Sequence, residues 1–81
     1  MKAEHEAKVE AVKQIDSGIM QHRFRVAYLK KQLADLPVPA DGAPEAEKQA
    51  YAREKVKIDA AEAELEANEA YRAFIRDTFN V

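Results

Sequence analysis

From Val12 to Leu36 the apolar positions fall at alternating spacings of three and four, through Val12, Ile15, Ile19, Val26, Leu29, Leu33 and Leu36, with His22 as the polar member of the series. That period belongs to a helix that lays one narrow stripe against another helix, a heptad seam. A second seam passes through Tyr51, Ile58, Ala61, Leu65, Asn68, Arg72, Ile75 and Phe79. His22, Asn68 and Arg72 interrupt these stripes in the way that register-setting polar residues do. Were His22 buried, its protonation below neutral pH would loosen the packing around it.

The segments that carry the seams are strong helix formers, rich in Ala, Glu, Lys, Gln and Leu, and neither contains proline. Leu36-Pro37-Val38-Pro39 ends the first, because proline lacks the N–H and disfavours helical geometry in the residue before it. Asp41-Gly42-Ala43 supplies a turn, Pro44 suits the start of a helix, and Asp41 and Ala43 both compete to cap it. Acids at Glu4, Glu6, Glu45 and Glu47 and bases at Lys30, Lys31, Arg72 and Arg76 carry the signs that the two helix dipoles favour. Asp16-Ser17-Gly18 is the weak point of the first helix. The seam keeps its register across Gly18, which favours a continuous helix, with a kink or a close helix contact there as the alternative.

These features predict an all-α chain of one domain, residues 1–81. Helix 1 covers about 3–35, a Pro/Gly loop about 36–43 and helix 2 about 44–79. Each helix is on the order of 50 Å long at about 1.5 Å per residue, and the short loop makes them antiparallel neighbours in a coiled-coil-like hairpin. Folding about Ala40 sets Leu29 opposite Tyr51, His22 opposite Ile58, Ile19 opposite Ala61 and Ile15 opposite Leu65.

A hairpin needs one apolar stripe on each helix, and this chain has two. Met20, Phe24 and Tyr28, with Ala27 beside them, lie well away from the first seam. Val56, Ala60, Ala63, Ala67, Ala70 and Phe74 lie nearly opposite the Ile58 and Leu65 face. Alanine alone on these faces needs no explanation beyond helix propensity, but Phe24, Tyr28, Val56 and Phe74 do, since exposed apolar patches mark interfaces. An 81-residue chain without Cys has little core of its own and no disulfide or thiolate metal site to reinforce it. The expectation is that hairpins pack through Met20, Phe24, Tyr28, Val56, Ala60, Ala63, Ala67 and Phe74 into a dimeric helical bundle, the homodimer being favoured over a trimer.

Charge bears on how copies would lie. Net charge is −2 with 35% charged residues, which gives no global pull towards nucleic acid or anionic membrane. Residues 22–57 hold eight Lys or Arg against five acids, and the rest of the chain five against ten, with Asp59, Glu62, Glu64, Glu66 and Glu69 unbroken by a base. The rod is basic towards its loop and acidic towards its termini, so an antiparallel homodimer brings unlike ends together.

Candidate chemistry is sparse. The Glu-x-x-His spacing of bundle metal sites is missing, since Lys2 and Ile19 stand three residues before His5 and His22. His5, among Glu4, Glu6 and Glu10, offers at most an adventitious metal contact, and no cofactor or metal site is expected. Ser17 and Thr78 have no base at a suggestive spacing, and there is no glycine-rich phosphate loop. An enzyme is not expected. The stretch from His22 to Lys31 interleaves cations and aromatics without an acid, a pattern that can bind phosphates and stack bases. Arg23, Arg25, Lys30 and Lys31 are therefore candidate residues for a nucleic-acid or nucleotide site. The more economical reading is a protein interaction module, an oligomeric hairpin acting as adaptor, structural component or inhibitor of a partner protein. The residues before Val12 lack the apolar core of a secretory signal, and the longest apolar run, Val26–Leu29, is far too short to span a membrane, so a cytoplasmic location is expected. Small Ala- and Glu-rich helical chains without catalytic motifs are common among phage and mobile-element products, an association of composition.

Overall fold

A computed structural model describes residues 2–81, the side chain of Lys2 excepted. Two helices, α1 (Lys2–Asp35) and α2 (Glu45–Phe79), pack against each other as a hairpin, and among the described residues there is no strand. The rod measures 66 × 18 × 14 Å, one helix wide in its thin dimension. Among the described residues no helix is long and apolar enough to cross a membrane.

α1 runs through Gly18 without a break. A Cβ placed on Gly18 meets nothing within 4 Å, so the close helix contact considered for this position is not made either. The helix therefore tolerates Gly18 and makes no steric use of it. Beyond Asp35 the prolines carry the chain onward, and a turn closes with the Ala43 N–H donating to the Ala40 carbonyl at 2.9 Å. Lys48 Nζ reaches back to the Asp41 carbonyl at 2.7 Å and ties this turn to α2. Neither residue considered for the N-cap fills that place. Pro44 does, without a side-chain bond, and its carbonyl accepts from the Glu47 and Lys48 N–H groups at 3.0 and 3.3 Å. α2 ends at Asn80, which takes the left-handed conformation (φ 59°) and donates its N–H to the Arg76 carbonyl at 2.8 Å. Asparagine is one of the few residues that adopt this conformation at modest cost.

The seam forms as its period predicts. Val12, Ile19, Val26 and Ile58 are buried, and Ile15, His22, Leu29, Leu33, Tyr51, Ala61, Leu65, Arg72 and Ile75 are half-buried. Leu36, Asn68 and Phe79, which the spacing also placed in the seams, are exposed. Leu36 lies past the end of α1, and Phe79 is the last residue of α2, so each faces a partner helix on one side only.

The register differs from the one expected from folding about Ala40. The His22 Nε2 bonds the Ala61 carbonyl at 2.9 Å, one turn beyond the Ile58 expected opposite it. Asp16 meets Arg72, Arg23 meets Glu69 and Lys30 meets Glu62, all displaced in the same sense along α2. Long helical side chains lean towards the N-terminus of their own helix, which accounts for part of the displacement in the ion pairs. The loop accounts for the rest. Leu36 to Pro39 continues past the end of α1 before turning, so the first turns of α2 stand beyond Asp35.

Candidate protein interaction faces

At about 100° per residue, Met20, Phe24 and Tyr28 project from the side of α1 opposite its seam. Val56, Ala60, Ala63, Ala67 and Phe74 project from the far side of α2. Because the seams face each other, these outer faces point in opposite directions from the hairpin. All eight positions are exposed. Among them Phe24 is 67% exposed, Val56 64%, Tyr28 61% and Phe74 59%. The structure thus brings Met20, Phe24 and Tyr28 together on one face and the α2 positions together on another, and it does not join the two sets.

Tyr71, 57% exposed, extends the α2 face. It was legible in the sequence as the position four after Ala67 and three before Phe74. Val38, at the tip between two prolines, is another exposed apolar side chain. Two clefts flank the seam at its ends. One lies under the loop, where Leu36, Pro37, Pro39 and Tyr51 are rimmed by Asp35, Glu47 and Glu54. The other lies near the chain termini, lined by Val12, Ile15, Tyr71, Ile75 and Phe79, with Lys8 over the Phe79 ring at 5.4 Å. Neither cleft was visible from periodicity, since both depend on how far the ends of the two helices overlap.

The ion pairs change the reading of charge. Arg23 Nε bonds Glu69 Oε1 at 3.2 Å, and Lys30 pairs with Glu62 at similarly close range. Of the four cations singled out for phosphate binding, Arg23 and Lys30 therefore sit along one edge of the seam, each holding a carboxylate. Arg25 projects from the other edge and Lys31 from the outer face, and among the described residues neither makes an ion pair. The four do not converge on one surface. On the acidic side, Glu62 and Glu69 are occupied, whereas Asp59, Glu64 and Glu66 are exposed and make no ion pair within the described chain.

Around His5, and elsewhere among the described residues, no group of three or more His, Cys, Asp or Glu side chains is placed to hold a metal ion. His22 is half-buried and engaged with the Ala61 carbonyl. The carbonyl can only accept, so Nε2 is the donor in that bond. Arg72, also in the seam, donates from Nε to Asp16 Oδ1 at 2.7 Å, and its Nη1 is buried without a partner.

The fold and these faces define a class, the two-helix antiparallel hairpin with an apolar stripe on each side of each helix. Comparison with protein-family models, curated proteins and solved structures finds no match to this chain.

Proposed function

We propose that this chain is a non-enzymatic interaction protein that works as an oligomer of helical hairpins, as adaptor, structural component or inhibitor of a partner protein. The observation that carries the reading is the pair of outer faces, where large apolar side chains stand mostly in solvent. Surface area gives the scale. The chain exposes 6392 Å². A compact monomer of 9.1 kDa exposes about 4,900 Å² by size scaling. The excess, about 1,500 Å² on one chain, is roughly twice the 800 Å² or so that each partner buries in an interface of ordinary size, enough for a contact on each outer face. An antiparallel arrangement of rods is preferred, because unlike charged ends then meet. Part of that charge is already used inside the hairpin, in the Arg23–Glu69 and Lys30–Glu62 pairs, so the preference is modest.

Native mass spectrometry together with sedimentation across a range of concentrations tests the proposal. Two or more copies without added mass is the expected result. A strict monomer at all concentrations removes self-association and leaves the outer faces to a different protein. A retained mass matching a nucleotide points instead to a ligand-binding module on the basic stretch of α1.

A further inference from the structure

The two outer faces are unlike in both shape and charge. That of α1 is bulky and basic. Met20, Phe24 and Tyr28 project from it, Lys31 lies in line with them and Arg25 at one edge, and no acid occurs between Ser17 and Ala34. That of α2 is flat and acidic along its middle. Ala60, Ala63, Ala67 and Ala70 run between the larger Val56 and Phe74, with Asp59 and Glu66 along one edge and Glu64 along the other. The ion pairs fix where these stretches lie on the rod. Arg23 meets Glu69 and Lys30 meets Glu62, so the aromatic patch and the alanine stretch stand level with each other on opposite sides of the hairpin.

We propose that the aromatic face of α1 docks on the alanine face of α2 of a second copy. The self-association proposed above is presupposed here; what is added is that the contact joins unlike faces. Two arguments favour this pairing over like on like. Placing α1 faces together would oppose Arg25 and Lys31 with the same cations and crowd Phe24 and Tyr28 against each other. Joining two α2 faces would oppose Asp59, Glu64 and Glu66 with one another, and like charges across an interface are costly. In the mixed pairing, rings lie over small side chains and the free cations meet the free carboxylates. Carboxylates line both edges of the α2 face, so this holds whichever way the second rod points.

A contact between unlike faces does not close on itself as a two-fold dimer does. The docked pair still presents one free face of each kind, on opposite sides, so the assembly grows sideways. This differs from a closed four-helix bundle, in which the apolar stripes of each helix lie on adjacent sides. Here they lie on opposite sides.

A mixing experiment tests the inference. One variant carries Arg25→Glu with Lys31→Glu and the other Glu64→Lys with Glu66→Lys, positions outside the ion pairs within the chain. Sedimentation of wild type should show mass rising past the dimer with concentration. Either variant alone should associate at least about tenfold more weakly, and an equimolar mixture should recover association, because each altered face then finds its complement. Circular dichroism of each variant should retain the wild-type helix content, which separates lost docking from lost folding. Should the Arg25/Lys31 variant fail to fold, Phe24→Ala with Tyr28→Ala mixed with the Glu64/Glu66 variant should form a dimer that stops growing; should the Glu64/Glu66 variant fail, Val56→Ala with Phe74→Ala takes its place beside the Arg25/Lys31 variant, with the same result expected. A wild-type dimer that does not grow, with one variant still dimeric by itself, overturns the pairing of unlike faces and leaves self-association standing. A strict monomer overturns both.

Discussion

The seam and the outer faces of this hairpin are built from different side chains. Where the helices meet, the buried positions are Val12, Ile19, Val26 and Ile58, branched aliphatics of modest size. The aromatic Phe24, Tyr28, Tyr71 and Phe74 stand on the outside, each more than half exposed. Two helices in contact leave solvent on both sides of a single stripe, so the space between them suits side chains that are short and stiff. Rings need more depth than one layer provides, and apart from Tyr51 in the seam and Phe79 at the end of α2 they occupy the faces where a second layer can be added. A chain that folded only for itself would gain more by the reverse arrangement, since burial stabilises roughly in proportion to apolar area.

The sharpest way to break this contrast is to truncate one residue of each kind in dilute protein. Ile58→Ala removes a side chain that is 6% exposed and should cost about 2–4 kcal/mol, read as a fall in the urea midpoint of the helical signal. Phe74→Ala removes a larger side chain and should change the dilute midpoint by less than about 0.5 kcal/mol. At high concentration the order of sensitivity shifts. Association stabilises the folded chain by mass action, so the wild-type midpoint should rise with concentration and that of Phe74→Ala should rise less. Equal costs for the two substitutions in dilute protein would show that the outer ring already packs within one hairpin.

A smaller effect of opposite sign is expected at Gly18, which lies in neither kind of surface. The site has open space around it and sits within an unbroken helix. Gly18→Ala should therefore stabilise by about 0.5–1 kcal/mol through backbone entropy alone. It should leave the concentration dependence of melting unchanged. A loss of stability would mean that this position needs the freedom of glycine, as in a helix that bends on association.

How much of this was legible in the sequence follows the same division. The seam was readable because period alone places Val12, Ile19, Val26 and Ile58 on facing sides, and period is a local property. The outer faces were readable for the same reason, from Phe24 to Tyr28 and from Val56 to Phe74. Register was not, because it depends on the path of Leu36 to Pro39, and prolines do not state how far the chain travels before it turns. An error of about two turns there, as where Asp16 meets Arg72 and not Glu64, misplaces every cross-helix pair. That is why His22 was set against Ile58 when it bonds Ala61, and why the pairing of Arg23 with Glu69 and Lys30 with Glu62 was not foreseen. Of the four cations in the basic stretch, Arg23 and Lys30 are engaged with Glu69 and Glu62 of α2, which leaves Arg25 and Lys31 as the two with charge to offer.

The smallest expected effect concerns Asp16 and Arg72, an ion pair that reaches into the seam. Arg72 occupies a seam position on α2, with its side chain 23% exposed, while that of Asp16 is 52% exposed. Screening by solvent limits what the pair contributes, so Asp16→Asn should cost no more than about 0.5 kcal/mol. Arg72 carries a second burden, since its buried Nη1 has no hydrogen-bond partner among the described residues. Replacing a poorly satisfied ion pair by apolar side chains is often neutral or stabilising. Arg72→Leu combined with Asp16→Ala should therefore match wild type or exceed it by up to about 1 kcal/mol, although the same seam penalises Ile58→Ala. What the double substitution should lose is definition, because leucine slides along a seam where arginine must find its aspartate. Cross-linking between cysteines placed at Arg23 and Glu69 reads this loss as a lower yield at unchanged helix content. A stable variant with an undiminished cross-link would show that the branched aliphatics hold the register without help.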